Sequence, residues 1–143
     1  MKISQISIFL ENRKGRLYEV CSVLGKNKIN IRALTIAETE EFGILRIVVD
    51  KAQEAVRVLK DNGFIAHLTD IVAVEVSDEP GGLAKLLQTL NDNEINVEYM
   101  YGFVEKATDK ALMVFRFDDP DKAIATLGKN NIRIITSRDI EGL

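Results

Sequence analysis

Two short polar segments in this chain have the composition to hold a small charged ligand. Asn12 precedes Gly15 by three residues and Asp78 precedes Gly81 by three, each where an alternating apolar stretch gives way to a helical pattern. A helix N-terminus presents backbone N–H groups without intrahelical partners and the positive end of a dipole, so a small carboxylate can dock there. Asn30 and Asn96 follow Asn12 and Asp78 at the same interval of 18 residues. Side-chain oxygens accept from an ammonium while backbone N–H groups donate to a carboxylate, and the two together complement an amino-acid zwitterion. Taken singly, Asn12 and Asp78 read as helix caps, and Asn30 and Asn96 as turn residues.

The other reactive side chains point to little chemistry. Cys21 falls on the inward stripe of a helical pattern and reads as core, away from any basic pocket that would stabilise its thiolate. His67 has no second imidazole or nearby cysteine to act with, and a single Cys beside a single His leaves no intramolecular disulfide, no Cys-x-x-Cys motif and no multi-His metal site. Carboxylates are plentiful but fall in loops and on exposed helix faces, so no acid/base pair stands out. Tyr99, Met100 and Tyr101 follow a strand pattern and read as packing. No catalysis, metal or cofactor is expected.

These loops need elements to position them, and the elements come in duplicate. Gly15-Arg16-Leu17, Val20, Leu24 and Ile29-Asn30-Ile31 recur 66 residues later as Gly81-Gly82-Leu83, Leu86, Leu90 and Ile95-Asn96-Val97. Ala55-Val56 and Leu59 recur at an offset of 68, so the second copy carries two extra residues in between. Two domains follow, 1–70 and 71–143, with no Pro- or Gly-rich linker. The formal charge of -3 splits unevenly: 11 Lys and Arg against 9 Asp and Glu in residues 1–70, then 8 against 13 in residues 71–143. That acidic balance speaks against nucleic acid, whose phosphates require clustered cations. No apolar stretch approaches membrane-spanning length and Met1-Lys2-Ile3-Ser4-Gln5 has no signal-like run, so a cytoplasmic protein is expected.

Within each copy, Ile6/Ile8/Leu10 and Val72/Val74/Val76 alternate as a half-buried strand. A helix follows, with Leu17, Val20, Cys21 and Leu24, or Leu83, Leu86, Leu87 and Leu90, at i, i+3, i+4, i+7. Pro80 suits the first helical turn and Asp78 is its capping candidate. Strands are expected from Asn30 to about Thr35, over Gly43–Val49, from Asn96 to about Val104 and over Ala111–Phe117. Polar hairpin loops join them at Glu38–Glu41 and Glu105–Lys110. A second helix covers about Ala52–Asn62 or Pro120–Lys129, and short strands close the copies at Ile65–Leu68 and Arg133–Thr136. The order βαββαβ, twice, predicts an α+β chain of two ferredoxin-like modules, each a four-stranded antiparallel sheet with both helices on one face. RNA-recognition domains share this order but carry aromatics on the third strand, and Gly43-Ile44-Leu45-Arg46-Ile47-Val48 has none.

The third strands are apolar on both faces, Ile44 and Val48 against Leu45, Ile47 and Val49, and Leu112 and Val114 against Met113, Phe115 and Phe117. Two-sided hydrophobicity predicts a covered sheet, and a copy of this size is a marginal core by itself. Pairing of copies and a homo-oligomer, in the first instance a dimer, are expected.

Asn12-Arg13-Lys14-Gly15-Arg16-Leu17 with Ile29-Asn30-Ile31, and Asp78-Glu79-Pro80-Gly81-Gly82-Leu83 with Ile95-Asn96-Val97, resemble the signature of the ACT domain family, small modules that regulate amino-acid metabolism. The resemblance spans nearly the whole chain, twice. It implies a regulatory or sensor protein, not an enzyme, that binds a small amino acid where modules meet. It further implies ligand contacts at Asn12, Gly15, Arg16, Leu17, Asn30 and Ile31, and at Asp78, Gly81, Gly82, Leu83, Asn96 and Val97. Lys14 stands where the second copy has Pro80. A regulated enzyme is a possible partner, and the alternative is a regulatory subunit that acts by protein contact without a ligand.

Overall fold

The computed structural model describes residues 1–104 and 110–143. The loop expected at Glu105–Lys110 therefore lies, for residues 105–109, outside the described residues. The chain divides into two compact units, one of Ser4–Thr69 and one of Asp70–Leu143 together with Met1–Ile3; they are called the first and second modules below.

In the first module the alternating apolar residues form β1 (Ile3–Glu11), and the helical stripe forms α1 (Arg16–Lys26). β2 (Ile31–Glu38) and β3 (Phe42–Val49) make the hairpin, α2 (Ala52–Asp61) follows, and Ile65 opens β4 (Ile65–Val76). The sheet runs β2-β3-β1, all antiparallel. Ile8 pairs with Leu45 and Ile6 with Ile47, and all four point into a core closed by Val20 and Leu24 of α1, Ala55 and Leu59 of α2, and Phe64. Each such aliphatic side chain, wholly withdrawn from water, contributes about 1.5–3 kcal/mol.

The second module repeats the plan with β4, α3 (Gly82–Asp92), β5 (Val97–Gly102), β6 (Ala111–Phe117), α4 (Pro120–Lys129) and β7 (Ile134–Ile135). Its sheet runs β5-β6-β4-β7. Val72, Val74, Leu86, Leu90, Phe115, Ala123 and Leu127 fill the core. The repeat extends to irregularities: the edge ladders slip register between Ile31 and Ala33 and again between Val97 and Tyr99, at the same offset of 66.

The fold class is α+β with antiparallel sheets and helices, as the sequence predicts, with three local differences. The strand expected to close the first copy and the strand expected to open the second are one continuous 12-residue element, β4. Neither Gly nor Pro interrupts Leu68-Thr69-Asp70-Ile71, so extended backbone simply continues. The stripe of α1 is narrower than expected. Val20 and Leu24 are buried, but Leu17 is 42% exposed and Cys21 only half-buried, so the cysteine is not core. Finally, a short helix α5 (Ser137–Glu141) ends the chain. Thr136 and Asp139 bond reciprocally in a capping box that starts it. Its Ile140 is 3% exposed, and Arg133 ties it to the sheet through Glu75 (2.9 Å) and Asp139 (3.4 Å). Leu112 and Val114, on the sheet face away from α3 and α4, are buried as well.

Candidate functional site

In the first module, β1 ends at Glu11 and the chain turns through Asn12-Arg13-Lys14-Gly15 into α1. Gly15 takes φ 91°, a left-handed conformation that costs a glycine nothing and an L side chain about 1–2 kcal/mol, and it directs the first turn of the helix. No side chain caps α1. Asn12 is engaged elsewhere: its N–H donates to the Glu41 carbonyl (2.7 Å) and its Nδ2 to the carbonyls of Thr39 (3.3 Å) and Glu40 (3.2 Å). The cap reading of Asn12 is thus corrected, because its amide fastens the loop to the β2–β3 turn.

That fastening encloses a cavity of about 170 Å³ between the loop and the hairpin. Asn12, Arg13, Arg16 and Leu17 line one side, with Leu10 and Glu11; Ile36, Glu38 and Gly43 line the other. Both charge signs are present. Glu11 accepts from Arg13 Nε at 3.0 Å and lies 3.9 Å from Arg16 Nε, while Arg16 Nη1 donates to Glu19 at 2.6 Å. Guanidinium groups suit a ligand carboxylate and the glutamates suit an ammonium. The volume falls below the roughly 300–1,000 Å³ of pockets for drug-sized molecules, so the occupant is small. Ile36, Glu38 and Gly43 were not legible as site residues, because only the β2–β3 register, Ile36 opposite Leu45 and Glu38 opposite Gly43, brings them to the loop.

The second loop differs. α3 starts only at Gly82, after Gly81 at φ 82°, and carries no side-chain cap. Asp78 is therefore not the helix cap, and Pro80 lies in the turn that precedes the helix. The turn is closed by Gly82 N–H to the Glu79 carbonyl at 3.0 Å, the same bond that Arg16 makes to Arg13 at 3.4 Å. A Cβ on Gly82 would collide with the Ser77 carbonyl, so only glycine lets the helix approach the strand end. Leu83 is half-buried against the core. Gly82 lines a second cleft, of about 340 Å³, between α3 and the turn after α4.

Asn30 and Asn96 occupy matching places. Each exchanges bonds with the Asp that ends the next-but-one strand: Asn30 N–H to Asp50 Oδ1 (3.0 Å) and Asp50 N–H to the Asn30 carbonyl (3.2 Å), then Asn96 to Asp118 (3.1 Å) with return at 3.2 Å. Ile31 and Val97 follow, paired to Val49 and Phe117. These ends of the strands are remote from the loops within a module. Asn12 bonds at the Phe42 end of β3 and Asn30 at its Val49 end, and eight strand residues separate them by about 25 Å. A single module therefore does not bring Asn12 to Asn30, nor Asp78 to Asn96.

His67 is exposed on β4. Among the described residues no group of three or more His, Cys, Asp and Glu could hold a metal ion, and no helix is long and apolar enough to cross a membrane.

A family model described as an ACT domain pair matches residues 1–143. A protein of known structure from Bacteroides thetaiotaomicron is 41% identical and superposes with a TM-score of 0.93, covering 100% of this chain and 98% of that one. The ligand-free regulatory subunit of aspartate kinase from Thermus thermophilus, at 19% identity, has the same fold, with a TM-score of 0.63 over 88% of this chain and 91% of that one. Among curated proteins, the acetolactate synthase small subunit of Buchnera aphidicola subsp. Baizongia pistaciae is 33% identical over 81 residues, 55% of this chain. The chain spans only about half the length of that relative, 50% of it being covered. The twice-repeated loop, helix and strand signature, built on two modules of one plan and matched from end to end, makes this chain a member of the ACT domain pair family.

Proposed function

We propose that this protein is a cytoplasmic sensor of a small free amino acid, acting without catalysis and passing the bound state to a regulated enzyme or to its own homo-oligomer. The observation that carries this reading is the small cavity at the first loop, where Arg13 and Arg16 sit beside Glu11 and Glu38. An amino-acid carboxylate and ammonium find partners there together. The relative named as an acetolactate synthase small subunit supports a role beside a catalytic partner.

Ligand contacts are assigned to Asn12, Gly15, Arg16 and Leu17 at one loop, and to Asp78, Gly81, Gly82 and Leu83 at the other. Asn30, Ile31, Asn96 and Val97, at the far ends of their own modules, enter as contributions from an adjoining copy in a homo-oligomer. Binding across such contacts favours the assembled form only to the extent that the ligand prefers it over the open one.

A melting screen of ligand-free protein against the standard amino acids tests the proposal. A true ligand at ~100 times its Kd adds about 2.7 kcal/mol, which raises Tm by several degrees. Asn12→Ala and Asp78→Ala then weaken separate sites. If no amino acid shifts Tm, the sensor reading falls and a contact subunit replaces it. One observation favours that second reading: Phe9 and Phe42 stack at 5.0 Å while 42% and 39% exposed, on the sheet face that also holds Ile44.

A further inference from the structure

The two modules correspond residue for residue, by matching hydrogen bonds, at one place where they differ in chemistry. Arg16 and Gly82 open equivalent helices, as their matching turn bonds show. Phe64 and Ile132 are equivalent too: each donates its N–H to the helix carbonyl five residues earlier, Leu59 or Leu127, at 3.0 Å. The preceding Asn62 and Asn130 cap α2 and α4 alike, with Nδ2 bonds of 2.7 and 2.8 Å to Val58 and Thr126. In the first module the Arg16 guanidinium lies 4.6 Å from the centre of the Phe64 ring and pairs with Glu19 at 2.6 Å. In the second module Gly82, Ile132 and Lys85 take those three positions, and the space between them is the 340 Å³ cleft.

The lining of the open cleft is cationic. Lys85, Lys110 and Arg133 surround it, three of the eight Lys and Arg in a half of the chain that holds 13 Asp and Glu. Among the described residues its one carboxylate, Glu75, is held by Arg133 at 2.9 Å, and Arg133 also reaches Asp139 at 3.4 Å, so Arg133 is already paired on both sides. Lys85 makes no ion pair among the described residues. Asn130 and Asn131 add amides that can donate. A gathering of cations against the overall sign of the module concentrates field on the cleft and favours an anion there.

We propose that this cleft of the second module binds a small metabolite carrying a dianionic group, a phosphate or a dicarboxylate, and that the first module has lost the counterpart site to its own Arg16 side chain. The cleft shares Gly82 with the amino-acid contacts proposed at the second loop, and Lys85 and Asn130–Ile132, which are not among those contacts, separate the two inferences. Inorganic phosphate and malonate serve as probes, each titrated into the full chain at constant ionic strength against chloride, with backbone amide NMR shifts as the readout.

The expected result is saturable shifts at Gly82, Lys85 and Asn130–Ile132 by tens of millimolar of at least one probe, without matching shifts at Arg16, Glu19 and Phe64. Saturation by phosphate alone assigns a phosphorylated ligand and by malonate alone a dicarboxylate. Lys85→Glu, on an exposed helix surface, weakens binding at least about tenfold, and Ile132→Phe, which restores the ring of the first module, weakens it as well. No saturable shift with either probe, equal shifts in chloride, or unchanged affinity in Lys85→Glu would overturn the proposal. Amino-acid titrations read at Asn12 and Asp78 fail or succeed separately.

Discussion

The guanidinium carbon of Arg16 stands 4.6 Å above the Phe64 ring while its Nη1 bonds Glu19 and its Nε lies buried near Glu11. One side chain thereby links the start of α1, the end of β1 and the turn that leads from α2 into β4. Arg16→Ala is expected to cost about 1–2 kcal/mol, more than an exposed ion pair, because the cation is partly desolvated over the ring. Arg16→Lys recovers only part of it, since an ammonium cannot stack and fork at once. Urea unfolding at unchanged m-value measures both.

Two adjacent glycines separate two kinds of constraint. Gly81 has a positive φ with open space around it, so Gly81→Ala carries a backbone penalty of about 1–2 kcal/mol. Gly82 has ordinary φ but faces the Ser77 carbonyl, so Gly82→Ala must push the helix off the strand end and costs about 1–3 kcal/mol or more. Amide NMR distinguishes them: Gly82→Ala moves signals along α3 and at Ser77, whereas Gly81→Ala lowers the urea midpoint with changes confined to the loop.

Lys28 and Glu94 sit at φ 57° just after α1 and α3, where helices ordinarily place glycine. Around Lys28 the bonds from Ile29 to Leu24 and from Lys28 to Gly25, both 3.0 Å, form the double closure of a helix end. Lys28→Gly and Glu94→Gly should each raise stability by about 0.5–1 kcal/mol, relief of the left-handed strain exceeding the added chain entropy. A fall in the urea midpoint of both variants would contradict this account.

The backbone N–H and the hydroxyl of Thr136 each donate to Asp139 Oδ2 at 2.9 Å and hold its carboxyl below the ordinary aspartate range, with Arg133 adding to the effect. Folded protein then binds fewer protons at this site than unfolded chain does, so the stabilisation is complete above the unfolded pKa of about 3.9 and fades as pH falls through the lower folded value. Asp139→Asn should flatten the decline in stability below about pH 4. Neutral-pH amide exchange in α5 should rise in the same variant, since a neutral amide oxygen replaces the charged acceptor of the capping box.

The repeat, the element order and the two loops were legible because burial enforces periodicity: Ile6/Ile8/Leu10 and Val72/Val74/Val76 can face a core only at period two. The α5 helix was written in Thr136-Ser137-Arg138-Asp139, a capping-box pattern that a four-residue strand reading obscured. Asp78 misled because an Asp shortly ahead of a Pro is a sound capping signal; in α4 the Asp stands directly before the Pro, and Asp119 accepts from Lys122 N–H at 3.1 Å. The difference is spacing: Glu79 separates Asp78 from Pro80, and the helix begins only at Gly82, after the left-handed Gly81.

The amino-acid sequence alone determined the α+β class, the two copies and which glycines turn the loops, since these follow from local periodicity and backbone freedom. Only the tertiary structure decided that Asn12 spends its amide on the β2–β3 turn, that Asn30 lies at the opposite end of its module, and that Arg16 fills in one copy what Gly82 leaves open in the other. Those are relations across 27, 20 and 48 positions of chain, from Asn12 to Thr39, Asn30 to Asp50 and Arg16 to Phe64. Strand register and helix docking set them, and neither is encoded in any short stretch of residues.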